Sequence, residues 1–219
     1  MHKKLTIVEG VDRVWITSDT HFAHAGICRA TSSWPDSSTR DFKSLEEMNN
    51  TILYNINKVV GENDLLIHLG DVAFGGFENL EYFWHNIVCK RRWWLGGNHD
   101  HHGTNNKNGI LSQVELYTQY MTIDLRIQGE DRERTEKHKL VLCHFPITSW
   151  DSMGKGTIHL HGHLHKKPHE KFCGGKSMDV GMDGNDMEVY DLLECVKLTK
   201  HRDTDVINLP NDRHLNKKK

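Results

Sequence analysis

The stretch WWLGGNHDHH, residues 93–102, joins an apolar run directly to a dense polar cluster. Its two tryptophans and its leucine are typical of a buried strand, and the two glycines that follow let the backbone turn sharply. Asn98, His99 and Asp100 come next, and these residue types bind metals or transfer protons. A single cluster of this kind indicates only a polar loop, so its meaning depends on whether the pattern recurs.

Five apolar runs along the chain stop in the same kind of cluster, at Asp19-Thr-His21, Gly70-Asp71, Gly97-Asn98-His99-Asp100, His144-Phe-Pro146 and Gly162-His163-Leu-His165. Side chains two apart on an extended chain point to the same side, so we expect Asp19 and His21 to converge on one point. The same rule predicts that His163 and His165 converge on another point. Because ligands collect beyond the carboxyl ends of strands in open sheets, the clusters predict a site at that edge.

Seven side chains in these clusters are of metal-binding types: Asp19, His21, Asp71, Asn98, His144, His163 and His165. They are too many for one ion that also leaves room for a substrate. If one carboxylate bridges, they supply four protein ligands to each of two divalent transition-metal ions. Imidazole, carboxylate and amide donors suit Mn, Fe, Zn, Co or Ni better than Ca, and we favour Mn²⁺. Two ions roughly 3.5–4 Å apart are a known device for hydrolysing phosphate esters.

Between the clusters, the hydrophobic spacing alternates between helix and strand periods. A capping box of Ser44 and Glu47 predicts the start of one helix, with Gly61 as its stop. Further helices are predicted over 78–90, 110–117 and 187–199, and strands over 13–18, 64–69, 121–127, 139–143, 157–161 and 177–180. We expect the first strand to pair with residues 5–8 across a turn at Glu9-Gly10. Strands that alternate with helices and then follow one another predict a layered α/β or α+β sandwich.

The composition sets the class of protein. The chain has 219 residues, 37% of them hydrophobic, which fits one domain over 1–200 followed by a polar, flexible tail over 201–219. A net charge of −2 gives no global drive toward nucleic acid or an anionic membrane. No early apolar stretch resembles a signal peptide and no apolar run is long enough to span a bilayer. Five scattered cysteines without CxxC spacing indicate reduced thiols and a cytoplasmic protein.

The ordered set of DxH, GD, GNHD, HxP and GHxH, from residue 19 to residue 165, resembles the calcineurin-like metallophosphoesterase superfamily. The segments Arg40-Asp-Phe42, Glu47-Met-Asn49 and HLGDVAF (68–74) are similar to small single-domain phosphoesterases of bacteria and bacteriophages. The resemblance implies two facing mixed β-sheets flanked by helices, with the active site at the carboxyl ends of strands.

The resemblance also implies a role for each site residue. One metal would be held by Asp19, His21, Asp71 and His165, and the second by Asn98, His144 and His163 with Asp71 bridging. A hydroxide between the ions would attack phosphorus in line. His99 would be the general acid that protonates the leaving oxygen, and Asp100 would orient His99. A histidine beside a ligand but free of the metal suits proton transfer near neutral pH.

The chain departs from the phosphoprotein phosphatases of the superfamily at two motifs. It has GDVAFGG where they carry an Arg-Gly pair, and GNHD where they have GNHE. We therefore expect a phosphodiesterase acting on a nucleotide, a cyclic nucleotide or a nucleic-acid end. The alternatives are a phosphomonoesterase for a small molecule, a non-catalytic partner-binding scaffold and a histidine-rich metal-storage protein. No membrane partner and no obligate protein partner is indicated.

Several polar residues near the motifs are candidates for substrate contact: His24, Arg40, Asn98 and His101. His24 lies three residues beyond His21, and His101 just follows the predicted acid. Lone basic residues are most often simply solvated, which is the competing interpretation of Arg40. His159 and His161 precede the glycine that ends their strand, so we interpret them as structural or supporting residues and not as ligands.

Overall fold

Two five-stranded β-sheets carry the fold. The computed structural model describes residues 1–35, 39–101, 109–170 and 172–204, so most of the predicted tail over 201–219 lies outside the described residues. In chain order the strands are β1 His2–Val8, β2 Val14–Thr17, β3 Leu65–His68, β4 Arg91–Leu95, β5 Leu116–Thr118, β6 Tyr120–Gln128, β7 Thr135–Cys143, β8 Ile158–His161, β9 Ser177–Asp179 and β10 Tyr190–Asp191.

Each sheet mixes parallel and antiparallel pairs. The first sheet has the order β1-β6-β7-β8-β9, and only β6 and β7 are antiparallel. The second has the order β10-β2-β3-β4-β5, with β10 antiparallel to β2 and the other pairs parallel. Within the described residues, three helices accompany the sheets: α1 Leu45–Val59, α2 Phe77–Asn86 and α3 Leu192–Thr199. The predicted α/β sandwich of two mixed sheets flanked by helices is confirmed.

The apolar core has two main parts, which explains the continuous apolar runs. Alternate residues of the central strands point to opposite faces of their sheet. Trp93 belongs to the cluster between the two sheets, and Trp94 to the cluster between the second sheet and helices α1 and α2. Leu65 and Leu66 divide in the same way. A parallel strand covered on both faces needs apolar residues at every position, as the sequence has here.

Local polar contacts set the ends of the helices. The Ser44 hydroxyl accepts a hydrogen bond from the Glu47 backbone amide at 3.0 Å, which confirms the predicted start of α1. Helix α2 ends at Asn86, earlier than the predicted residue 90. The reason is Asn57, whose amide group donates to the Asn86 carbonyl at 2.7 Å and accepts from the Val88 amide at 2.9 Å. Asn57 thus holds the chain in an extended path after Asn86.

Three predictions about elements were wrong. The first strand does not pair with residues 5–8, because β1 pairs with β6 in the other sheet while β2 pairs with β3 and β10. Asp12 closes the turn between β1 and β2, since its carboxylate accepts from the Val8 amide at 2.9 Å. The segment predicted as a helix over 110–117 is a 3-10 turn, Ile110–Gln113, followed by β5. The segment 187–199 includes β10, and Asp191 then caps α3.

None of the helices in the described part of the chain is long and apolar enough to cross a membrane.

Candidate metal centre

The predicted site residues lie at the carboxyl ends of five strands. Asp19 and His21 follow β2, Asp71 follows β3 and Asn98 follows β4, all in the second sheet; His144 follows β7 and His163 and His165 follow β8 in the first sheet. Since the two sheets face each other across the core, their loops meet at one edge of the sandwich. The fold therefore brings residues from distant parts of the sequence to one place.

Six of these residues form two groups. We call Asp19, His21 and His165 the first triplet, and Asp71, His144 and His163 the second triplet. Within each triplet, one ligand-type atom from every residue lies within 4.8 Å of the others. The prediction that His163 and His165 converge on one point was wrong, because the two histidines belong to different triplets.

Asp71 connects the two triplets. Its Oδ2 atom lies 3.7 Å from Nε2 of His21 and 3.4 Å from Nε2 of His144. Its other oxygen, Oδ1, accepts a hydrogen bond from the His99 backbone amide at 2.9 Å. Burial alone would raise the pKa of Asp71, but its hydrogen bond to His144 and the neighbouring donors hold this pKa well below its usual range. Asp71 is therefore ionised, and its Oδ2 atom faces a histidine of each triplet.

The first triplet contains buried polar atoms without partners. Asp19 Oδ1 and His21 Nε2 are both buried and have no hydrogen bond within the described structure, although they lie 3.9 Å apart. Burial raises the pKa of Asp19 to about 6 and lowers that of His21 to about 2. An unpartnered buried polar atom is costly. A divalent cation between these atoms would satisfy both, so the donor set fits a metal ion.

The second triplet also presents acceptors that face one another. His144 Nδ1 lies 3.0 Å from the Leu69 carbonyl oxygen and so carries the proton of the neutral ring. Its Nε2 then faces two further acceptors, Asn98 Oδ1 at 3.0 Å and Asp71 Oδ2 at 3.4 Å. Burial lowers the pKa of His144, but Asp71 and the nearby carboxylates raise it more, so the net shift is upward. A proton on Nε2, or a cation bound in its place, would interact favourably with both oxygen atoms.

The loops that carry the two triplets have an unusual backbone. Five residues of the two triplets have φ in the left-handed region: Asp19 (57°), His21 (47°), Asp71 (54°), His163 (73°) and His165 (54°). The side chains therefore converge because each loop turns tightly, and the alternation of an extended chain, used above to predict the convergence, is not the cause. Such conformations cost on the order of 1–3 kcal/mol each and concentrate at functional sites.

Close backbone approach explains two of the glycines in the motifs. A Cβ atom on Gly97 would overlap the Asp71 carboxylate, and one on Gly162 would overlap Ser18 Oγ and the Asp19 carboxylate. The absence of a side chain at these positions lets the GNHD and GHxH loops lie against the loops that carry the two carboxylates. The glycines thus set the distance between motifs that are far apart in sequence.

His99 lies at the open side of the shared carboxylate. Its ring Nε2 is 4.0 Å from Asp71 Oδ2, and about a third of its side chain (36%) is exposed. The ring contacts His21 edge-to-face at a centroid distance of 5.4 Å, and Phe74 in the same manner at 5.4 Å. His99 is therefore beside both triplets without belonging to either of them.

Asp100 joins two loops beneath the site. Its Oδ2 accepts from the amides of Asp71 and Gly97 at 2.8 Å and from the Trp94 indole at 3.2 Å, and its Oδ1 accepts from the Val72 amide at 2.9 Å. The donors are three loop amides and a strand indole, and the His99 ring is not among them. Any influence of Asp100 on His99 is therefore exerted through the backbone.

The residues predicted to contact the substrate differ in how deeply their side chains are buried. His24 is partly buried, with Nδ1 3.1 Å from His21 Nδ1 and its ring stacked on Phe74 at 3.9 Å. Burial lowers the pKa of His24 to about 4, so the ring is neutral. Arg40 is only 6% exposed and lies beneath the first triplet, which argues against direct contact with a substrate. His101 is exposed, and its contact with substrate stays a prediction.

The sequence analysis missed two residues near the site. Asp183 Oδ2 lies 2.6 Å from His165 Nδ1, and His68 lies under the Asp71 loop, where its Nδ1 accepts from the Gly70 amide at 3.1 Å. Asp183 stands in a Gly- and Asn-rich turn that has no motif, and His68 was hidden inside an apolar strand. His159 is buried between the Val141 carbonyl and the Ile147 amide, in agreement with the structural role expected for it.

Comparisons with known proteins identify the family and the fold. A family model described as calcineurin-like phosphoesterase matches residues 12–172. An uncharacterized protein of Methanocaldococcus jannaschii is 31% identical over 159 residues, which cover 70% of this chain and 69% of that protein. The Gene 66 protein of Mycobacterium phage L5 is 23% identical over 210 residues, 85% of this chain and 96% of that protein. The crystal structure of an Aquifex aeolicus protein of unknown function has a TM-score of 0.59 at 22% identity, covering 85% of this chain and 99% of that one; it supports the fold alone.

Proposed function

The chain belongs to the calcineurin-like phosphoesterase family, whose members hydrolyse phosphate esters, and we propose that it is a dinuclear-metal phosphodiesterase with His99 as general acid. The observation that carries this proposal is the pair of triplets joined by Asp71, with His99 at the open side of the shared carboxylate. The proposed substrates are nucleotides, cyclic nucleotides or a nucleic-acid end.

In this proposal each triplet holds one divalent ion. Asp19, His21, Asp71 and His165 would hold the first, and Asp71, Asn98, His144 and His163 the second. When bound, the two ions supply an activated water and neutralise charge on the phosphoryl oxygens. Mn²⁺ is the favoured metal, with Fe, Zn, Ni or Co as the other candidates that this donor set suits.

The chain's own contribution to the reaction is to position the ions and to move a proton. The His99 ring is exposed at the edge of the site, within reach of a substrate that approaches Asp71 from solvent. A proton on Nε2 of His99 would be donated to the leaving oxygen. Asp100 holds the backbone of the GNHD loop against the Asp71 loop, so the His99 backbone amide stays bonded to the shared carboxylate.

Two features favour a diester over a monoester. Arg40 is buried and makes four hydrogen bonds to Asp183 and to backbone carbonyls, so it is not positioned to pair with the second negative charge of a monoester. In addition, Phe74 and Phe145 are partly exposed and contact His99 and His163 respectively. Aromatic faces beside the site suit an organic group such as a base, because bases stack on aromatic side chains.

The test compares hydrolysis of bis-p-nitrophenyl phosphate with hydrolysis of p-nitrophenyl phosphate, in the presence of Mn²⁺ and after chelation. We expect higher kcat/KM for the diester and loss of both activities with chelator. The variant His85→Ala, which alters an exposed histidine on α2, is the matched control for replacement of His99 by alanine and should keep wild-type rates. A clear preference for the monoester would replace the proposal with a phosphomonoesterase. Two bound ions without turnover of either ester would favour a non-catalytic scaffold.

A further inference from the structure

A charged network outside the two triplets connects the C-terminal part of the chain to the first one. The Arg40 guanidinium makes a bidentate pair of hydrogen bonds with Asp183, from Nε to Oδ1 and from Nη2 to Oδ2, both at 2.8 Å. The side chain of Arg40 is 4% exposed and that of Asp183 20%. A paired geometry of this kind is the strongest form of a charge-assisted hydrogen bond.

The same two side chains touch both halves of the first triplet. Arg40 donates from Nη1 to the Thr20 carbonyl at 2.7 Å and from Nη2 to the Asp19 carbonyl at 2.6 Å. Asp183 Oδ2 accepts from His165 Nδ1 at 2.6 Å. The network therefore holds the DxH loop through its backbone and the final histidine of GHxH through its ring.

The contact with Asp183 determines which nitrogen of His165 is open. Because Asp183 binds Nδ1–H, the neutral ring keeps its lone pair on Nε2, and this atom faces Asp19 Oδ1 at 3.8 Å. A carboxylate behind a metal-binding histidine fixes the tautomer and the ring orientation and increases ligand basicity.

The backbone holds Asp183 firmly in place. Asp183 belongs to a 3-10 turn, Met182–Asn185, and a Cβ atom on Gly184 would overlap the Lys166 carbonyl just after His165. Asp179 joins the same two segments, since its carboxylate accepts from the amides of Lys166 at 3.2 Å and Gly181 at 2.8 Å. The position of Asp183 relative to His165 is therefore fixed by contacts on both sides.

We infer that Arg40 and Asp183 are positioning residues for the first metal site, and that they act through His165 and the Asp19–Thr20 backbone. The inference rests on the proposed two-metal function. Asp183 lies beyond residues 12–172, the segment that the family model matches, so this part of the proposed metal site lies outside the matched segment.

The first experiment measures Mn²⁺ binding to the metal-free protein by calorimetry, for wild type, Asp183→Asn, His165→Gln and the double variant. We expect two sites in wild type and a 10- to 100-fold weaker affinity at one site in Asp183→Asn, roughly the loss that follows removal of such a supporting group. Because Asp183 acts partly through His165, the loss of binding free energy in the double variant should be smaller than the sum of the losses in the two single variants. Glu188→Gln, which alters an exposed acid paired with Lys58, is the control and should bind as wild type does.

A second measurement does not depend on metal. Nitrogen chemical shifts of the His165 ring, assigned with His165→Gln, should report a proton on Nδ1 in wild type and a mixture of tautomers in Asp183→Ala. Wild-type Mn²⁺ affinities in Asp183→Asn, together with an unchanged tautomer in Asp183→Ala, would overturn the inference and leave the proposed function intact. Failure of wild type to bind two ions would overturn both.

Discussion

The two triplets of the metal centre are supported by different kinds of group. The first triplet is backed by side chains, because Arg40 and Asp183 hold His165 and the Asp19–Thr20 carbonyls. The second is backed by one backbone group and one side chain: the Leu69 carbonyl faces His144, and the Asp100 carboxylate binds loop amides under Asp71. The side chain behind His165 can be removed by a substitution, whereas the backbone carbonyl behind His144 cannot. The two halves should therefore respond differently to substitution and to pH.

The largest effect is expected from Asp71→Asn, which removes the carboxylate that both triplets share. The charge of Asp71 lies within 4 Å of His21, His144 and His99, so its removal affects both triplets. We expect hydrolysis of the diester to fall about 1,000-fold, since metal-assisted charge stabilisation is worth several kcal/mol. Steady-state kinetics with saturating Mn²⁺ measures this. A loss confined to one ion, with catalysis retained, would show that Asp71 does not join the halves.

His99→Ala is expected to have the next largest effect and to separate chemistry from metal binding. A general acid contributes typically about 100- to 10,000-fold, and more when the leaving oxygen is basic. We therefore expect a loss of about 100-fold on an alkyl phosphodiester and a smaller loss on a p-nitrophenyl diester, with Mn²⁺ affinity unchanged at both sites. Equal losses on the two esters would mean that His99 does not protonate the leaving group.

The smallest effect concerns pH and the metal-free protein. His68 is fully buried, and burial lowers its pKa to about 3. Its Nδ1 accepts from the Gly70 amide, so its Nε2 carries the proton and faces Thr20 Oγ1 at 3.0 Å. Protonation of the ring would break the contact with Gly70 under the second triplet.

A pKa that is depressed in the folded state means that acid protonates the unfolded chain first. The contribution of His68 is therefore complete above about pH 6.5 and is lost as the pH falls from 6.5 toward 3, by up to about 1.4 kcal/mol per pH unit. Urea unfolding of the chelated protein between pH 4 and 7 should show a steeper slope for wild type than for His68→Gln. The exposed His2→Gln is the control. Identical slopes in wild type and His68→Gln would contradict this account.

The sequence allowed the fold class and most of the centre to be predicted, because the relevant signals are local. Each cluster follows directly on an apolar strand, so one short stretch of sequence predicts both the motif and the strand that positions it. The pairing of β1 could not be predicted, since its partner β6 lies more than a hundred residues away and either sheet could accept it. Asp183 was not predicted for a similar reason: its contacts are made with His165, 18 positions away, and with Arg40, 143 positions away, and no local pattern marks either contact.

The prediction for Arg40 was limited by a different cause. An arginine in a loop near anion-binding motifs can contact a substrate or form a buried ion pair. Only the burial of its side chain distinguishes these two roles. The burial of Arg40 follows from its contact with Asp183 in the Met182–Asn185 turn, and neither residue lies in a segment with a periodic pattern.

The left-handed conformation of five ligand residues has a consequence for protein engineering. A library selected only for thermal resistance should accumulate glycine at positions such as Asp19 or His163, because glycine adopts φ near +60° without steric cost. Each such gain would delete a donor atom of the proposed metal centre. Selection for stability and selection for turnover therefore point in opposite directions at these positions, and improved variants should be sought by keeping the loops fixed and changing the rest of the sandwich.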